Sequence, residues 1–178
     1  MSMKTRNCLA FGASYSRNSI NAQFAAFVAH SIPNSLSKVV DLTGFDIPLF
    51  TPQQEEEKGI PKAVKVFDQL IQEADILVIS MAEHNGSYTA AFKNLFDWLT
   101  RLRPKCFEGK KLILTATAPG PRGGMGVLQA AEERFPRHGG TLLGSFSLPH
   151  FHENFDKEKG IIQPDLKIKF EEWLDQLV

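Results

Sequence analysis

Cys8-Leu9-Ala10-Phe11-Gly12-Ala13-Ser14-Tyr15-Ser16-Arg17-Asn18-Ser19-Ile20-Asn21 runs from an apolar tetrapeptide, through a turn rich in hydroxyls, into a segment where Ile20, Phe24, Phe27 and Val28 recur at helical spacing. The pattern predicts a buried strand over residues 7–11 and a helix over about 19–30. A helix that starts here presents unpaired backbone N–H groups and the positive end of its dipole. Ser14, Ser16, Ser19 and Asn21 add neutral donors, a combination suited to an anion. A cap supplied by Asn18 or Ser19 accounts for the same residues without any ligand. Taken alone, the stretch admits both readings.

Outward from it, the strand-then-helix unit repeats. Residues 38–42 read as a second short strand, followed by a long connection over 46–58 in which Glu55, Glu56 and Glu57 form a solvated charged face. Pro61 suits the first turn of a helix, and Val64, Phe67, Leu70 and Ile71 follow at helical spacing. Residues 75–81 carry the unbroken apolar stretch Ile76-Leu77-Val78-Ile79 without alternation, as expected of a central strand covered on both faces. Phe92, Leu95, Phe96, Leu99 and Leu102 mark the next helix, which also carries Trp98. A fourth strand is predicted over 110–117, a helix over 125–137 and a fifth strand over 141–148. After a polar loop at 153–160, a last helix places Leu166, Phe170, Trp173, Leu174 and Leu177 on one stripe. Such alternation predicts a single α/β domain over residues 1–178, with a parallel, doubly wound sheet.

With 178 residues and 43% hydrophobic content, the chain can bury a core of its own. Twenty Lys and Arg balance twenty Asp and Glu, so no net field recruits nucleic acid or an anionic membrane. Cys8 and Cys106 belong to no CxxC pair, which argues against a disulfide framework or structural zinc. Neither a signal-peptide pattern nor an apolar run of membrane-spanning length is found, and a cytoplasmic protein is expected. His150 and His152 lie two apart without a third ligand in view, so no metal site is assigned.

In a doubly wound sheet of order 2-1-3-4-5, strands one, three and four are adjacent, and ligands bind beyond their carboxyl ends. The loops at 14–21, 83–87 and 119–124 therefore converge. Hydroxyls in the first suit a phosphate monoester; Asn85-Gly86 and Gly120, Gly123 and Gly124 let bare backbone approach a flat ring. Both GxGxxG and the Walker lysine pattern are missing after strand one, which leaves a mononucleotide with a polar heterocycle as the better match.

These motifs together resemble the NADPH-dependent FMN reductase family, flavodoxin-like flavoenzymes that include quinone, chromate and azo-dye reductases. Residues 12–21 resemble its phosphate loop; Glu83-His84-Asn85-Gly86-Ser87 with Lys93-Asn94-Leu95-Phe96-Asp97-Trp98 resembles its ring-binding segment and the helix after it; Gly120-Pro121-Arg122-Gly123-Gly124 is similar to its glycine-rich flavin loop. The resemblance spans about residues 5–145. It implies a three-layer flavodoxin-like fold in which Ser14, Ser16, Ser19 and Asn21 hold the FMN phosphate, with Arg17 a further candidate. Glu83, His84, Asn85, Gly86 and Ser87 would line the isoalloxazine, with Gly120, Arg122 and Gly123 on its other side. The implied reaction carries hydride from NADPH or NADH to the flavin and on to a quinone, free flavin or similar small acceptor.

The chain departs from the family pattern at several points. Ser16 stands where many members have arginine, Ala82 and His84 replace the usual proline and tyrosine, and Thr89-Ala90 replaces Pro-Gly. His84 is a candidate modulator beside the flavin, because imidazole titrates near neutrality. The family further implies a homodimer or homotetramer, with the helix around Trp98 as candidate interface. Two other classes share the fold: a flavodoxin-type electron carrier, usually strongly acidic, and a binding module without cofactor.

Overall fold

Every residue from Ile76 to Met81 is buried, odd and even positions alike, so this strand has cover on both faces. The computed structural model describes residues 5–177. In chain order its elements are β1 (Arg6–Gly12), α1 (Ile20–Ser31), β2 (Ser35–Val39), α2 (Pro52–Lys58), α3 (Lys62–Glu73), β3 (Ile76–Met81), α4 (Ala90–Leu102), β4 (Lys111–Thr117), α5 (Met125–Arg134), β5 (Thr141–Leu148), α6 (Phe151–Asn154) and α7 (Pro164–Asp175). The five strands form one parallel sheet of order β2-β1-β3-β4-β5, the flavodoxin-like arrangement expected from the sequence.

Alternation along the strands divides the core in two. Leu77, Ile79 and Met81 of β3 pack with Phe67 and Ile71 of α3, Leu95 and Leu99 of α4 and Leu128 of α5. Ile76 and Val78 point the other way, into a layer with Phe24 and Val28 of α1 and Phe170 and Leu174 of α7. Both layers are rich in buried aliphatic and aromatic side chains, each contributing roughly 1.5–3 kcal/mol on burial. This two-sided cover makes β3 rigid and leaves its carboxyl end as a fixed point from which a loop can be aimed.

Three sequence expectations are corrected. The second strand lies at Ser35–Val39, three residues earlier than read, paired to β1 with Arg6 opposite Ser35 and Ala10 opposite Val39. As an edge strand it exposes Leu36, and Asp41 ends the extended run by accepting from the Thr43 N–H at 2.9 Å. The connection at 46–58 is not structureless, since α2 occupies its second half. Thr51 caps α2 through the Gln54 N–H, Pro52 opens it, and Gly59 at φ 67° closes it. Glu55 is not merely solvated: Arg101 on α4 donates to its carboxylate at 2.9 Å. The loop at 153–160 likewise contains the end of α6 and a two-residue hairpin, Phe155–Asp156 against Gly160–Ile161.

Trp98 is wholly buried, and its indole N–H donates to the Pro48 carbonyl at 2.8 Å. Asn94 holds the same segment, accepting from the Phe50 N–H at 2.8 Å and donating to Pro48 O at 3.0 Å. The indole thereby pins the 46–50 segment to α4, so on the helix around Trp98 it is side chains such as Lys93 and Arg101, and not the indole, that face outward.

Candidate functional site

Beyond the carboxyl ends of β1, β3 and β4, the three loops enclose a cleft. It is lined by Ser14, Ser16, Asn18, Ser19, Ile20 and Asn21 from the first loop and α1, Ala82, Glu83 and His84 after β3, and Thr117, Ala118 and Pro119 after β4. Its position is the switch point in strand order, where β1 neighbours both β2 and β3.

The first loop is held open by local hydrogen bonds. Ser14 Oγ accepts from the Ser16 N–H at 3.2 Å, and Ser19 Oγ accepts from the Ala22 N–H at 3.1 Å as the α1 cap. Each hydroxyl is engaged as an acceptor and keeps its proton for donation. Among the described residues, the backbone N–H groups of Arg17, Asn18, Ile20 and Asn21 meet no protein acceptor. Cap and anion site are thus not alternatives here, because capping orients the very groups an anion would need. Tyr15 anchors the loop from the far side, its hydroxyl donating to Phe45 O at 2.9 Å. Burial, with Asp46 nearby, raises the Tyr15 pKa and keeps that proton in place.

After β3 the chain turns as a hairpin, Glu83–His84 against Ser87–Tyr88. Asn85 (φ 52°) and Gly86 (φ 74°) both take left-handed backbone, the requirement of the tight hairpin turn that Asn-Gly favours. The Glu83 carboxylate faces α5 rather than open solvent. It accepts from the Val127 N–H at 3.4 Å and meets Arg122 Nη2 at 3.4 Å. Since Gly124 at the start of α5 has no side chain to cap it, Glu83 supplies that acceptor from the hairpin after β3. After β4, Gly123 at φ 56° lies against β5, where an added Cβ would meet Ser147 Oγ at 2.3 Å.

Of the residues singled out in the sequence, Ser14, Ser16, Ser19, Asn21, Glu83 and His84 line the cleft. Arg17 does not; it borders a second groove along the outside of α1 with Gln23, His30 and Lys157. Asn85, Gly86 and Ser87 form the exposed hairpin tip, while Gly120, Arg122 and Gly123 lie farther along the loop after β4 and do not line the cleft. Asn21 borders the cleft, but it is almost fully buried and its side-chain amide is bonded to the sheet. Sequence reading missed Asn18, Ile20, Ala82, Thr117 and Ala118. Their shared signal is position, at or just past a strand end or at a helix start. His150 and His152 gather no metal set: among the described residues no group of three potential ligands occurs.

Residues 7–153 match the family model of NADPH-dependent FMN reductase, and the chain belongs to that family. A quinone reductase of Escherichia coli (strain K12) is 30% identical over 105 residues, which span 57% of this chain and 56% of that protein. The chain thus spans little more than half the length of this curated relative. The fold is shared with FerB, a flavoenzyme NAD(P)H:(acceptor) oxidoreductase from Paracoccus denitrificans (TM-score 0.74, 16% identity, 97% of each chain), and with the NADH:FMN oxidoreductase EMOB (TM-score 0.74, 18% identity, 97% of this chain and 88% of that one).

Proposed function

We propose that this chain is a single flavodoxin-like FMN-binding domain, residues 1–178, that oxidises NADPH or NADH and reduces a quinone, free flavin or similar small acceptor. The observation that carries the reading is the cleft, where a loop of free donors faces two loops that end in exposed or glycine-flanked backbone. FMN, when bound, supplies acceptance of hydride from the nicotinamide and its delivery to the acceptor.

The residues present fit that group. Ser14, Ser16 and Ser19, with the N–H groups of Arg17, Asn18, Ile20 and Asn21, would hold the phosphate at the start of α1. Ala82, Glu83 and His84 on one side and Thr117, Ala118 and Pro119 on the other would border the ring, with Asn85, Gly86, Ser87, Gly120, Arg122 and Gly123 shaping the entrance. Arg17 and Arg122 are exposed cations on these loops and suit the negative charges of a nicotinamide nucleotide. His84, exposed on the hairpin, would tune turnover rather than carry a proton obligatorily.

Quinone reduction by relatives supports a small-molecule acceptor. No helix among the described residues is long and apolar enough to cross a membrane, which accords with a cytoplasmic enzyme. A homodimer or homotetramer through α4, the helix around Trp98, completes the reading, and a monomer by light scattering at micromolar protein would overturn that part. The deciding experiment mixes purified protein with FMN, NADPH and 1,4-benzoquinone. Protein that stays yellow once unbound FMN is removed, and that then consumes NADPH in repeated turnovers when the quinone or free flavin is supplied, is expected. Yellow protein inert toward NADPH and NADH would mark an electron carrier, and protein that stays colourless after FMN addition a module without cofactor.

A further inference from the structure

Asn21 sits in the first turn of α1 beside the free donors of the loop, yet its side chain is turned into the protein. Its Oδ1 accepts from Ser80 Oγ at 2.8 Å and from the Thr117 N–H at 3.0 Å, and its Nδ2 donates to Thr117 O at 3.0 Å. Both lone pairs of the amide oxygen and one of the two Nδ2 hydrogens are therefore engaged within the protein. The amide grips the N–H and C=O of one residue, Thr117, much as a neighbouring strand would. Thr117 in turn donates through Oγ1 to Leu148 O at 2.7 Å. A single buried side chain thus joins the start of α1 to the ends of β3 and β4, and through Thr117 to β5.

The close approach has a cause in the sequence. Gly12 ends β1 directly under α1, and a Cβ there would lie 2.4 Å from the Ala22 nitrogen, so only glycine lets the helix come near enough for Asn21 to reach the strands. The positions gripped are those from which the cleft is built. Ala82 follows Ser80 by two residues and Ala118 follows Thr117 by one, and both line the cleft opposite the hydroxyl loop.

We infer that Asn21 is a positioning residue that sets the spacing between the hydroxyl loop and the two ring-side loops, and is not itself a phosphate ligand; this rests on the FMN reading above. A ligand of the phosphate and a setter of spacing differ in what they do to riboflavin, which lacks the phosphate but keeps the ring. The test measures the dissociation constants of FMN and riboflavin by flavin fluorescence for the parent protein, Asn21→Ala and Ser80→Ala, below each protein's unfolding temperature. Positioning predicts that Asn21→Ala weakens both flavins by the same factor, about tenfold for the loss of a buried amide clamp, with the FMN-to-riboflavin ratio unchanged. Ser80 is wholly buried and lines no part of the cleft, so Ser80→Ala is expected to weaken both in the same proportion by a smaller factor. Loss of FMN affinity with riboflavin untouched would overturn the inference in favour of direct phosphate contact. Lower unfolding temperatures with both affinities unchanged would also overturn it, leaving only a structural role. Should Asn21→Ala fail to fold, the Ser80→Ala pair of affinities decides by the same criteria. A parent protein that binds neither flavin overturns the FMN reading itself, a result distinct from any altered ratio among variants.

Discussion

Thr89 Oγ1 donates to the Ala13 carbonyl at 2.9 Å and accepts from the Phe92 N–H at 3.2 Å, so one hydroxyl caps α4 and anchors the start of the hydroxyl loop. Both groups are buried. Thr89-Ala90 is where the chain departs from the Pro-Gly of its family, and proline could make neither bond. Replacing the hydroxyl by a methyl in Thr89→Val removes the cap and strands a buried carbonyl, for a loss of about 2–3 kcal/mol. Thr89→Ser keeps the oxygen and is expected to lose less than about 1 kcal/mol. Urea unfolding of the three proteins measures this, and equal stability of the Val and Ser variants would refute the coupling.

Two glycines of the loop after β4, Gly120 and Gly123, differ in what surrounds them. Gly123 combines φ 56° with contacts an added Cβ cannot share, 2.3 Å to Ser147 Oγ and 3.0 Å to Pro149 N, whereas nothing lies within 4 Å of a Cβ at Gly120. Gly123→Ala is therefore expected to destabilise by about 2 kcal/mol or more, from left-handed strain plus displacement of the β5 end. Gly120→Ala should stay within about 0.5 kcal/mol of the parent. Thermal unfolding distinguishes them, and comparable losses at both positions would show that the loop is not held against β5 as described.

What the sequence revealed, and what it concealed, follows from the range of the interactions. β3 and the sheet order were legible because two covering layers impose an unbroken apolar run over 76–79 and β/α alternation around it. β2 was misplaced because an edge strand with Leu36 in solvent carries no such pattern. α2 buries no residue, so it has no apolar periodicity to read; only Thr51, Pro52 and Gly59 betray it. The three loops were found because their composition is local. The engagement of Asn21 was not, since its partner Thr117 is 96 residues away. Nor could spacing tell that Ser16 turns to the cleft while Arg17 turns to the outer groove, a matter of loop dihedrals.

Both cysteines are free and buried, and burial pushes their thiols up from an ordinary 9.0, Cys8 to about 11 and Cys106 to about 12. At pH 8 only about one Cys8 in a thousand, and fewer Cys106, is thiolate, the reactive form. Neither is expected to react with a disulfide reagent in the native protein, and both should react once it is unfolded in urea. Tyr88, raised by burial from 10.0 to about 12, behaves alike. The folded protein holds these protons more tightly than the unfolded chain. Their stabilising contribution is thus complete below pH 9 and is lost as pH rises through about 11–12. Unfolding free energy measured from pH 8 to 11 should fall, and rapid native-state labelling at pH 8 would contradict the burial.

The hydroxyl loop makes the sharpest electrostatic prediction. Ser14 and Ser19 line the cleft beside the free N–H groups at the start of α1. A phosphate dianion held there would be repelled by carboxylates in the same loop, and partial burial keeps solvent from screening the repulsion fully. Ser14→Glu combined with Ser19→Glu is therefore expected to weaken FMN by about a hundredfold or more relative to Ser14→Gln with Ser19→Gln. The glutamine pair matches the size of the new side chains and also disturbs the α1 cap, so the comparison isolates charge. Riboflavin should bind the two double variants about equally, because it brings no phosphate into the loop. Fluorescence titration with both flavins provides the measurement. Equal FMN affinity for the Glu and Gln pairs would place the phosphate elsewhere and return the loop to a helix cap alone.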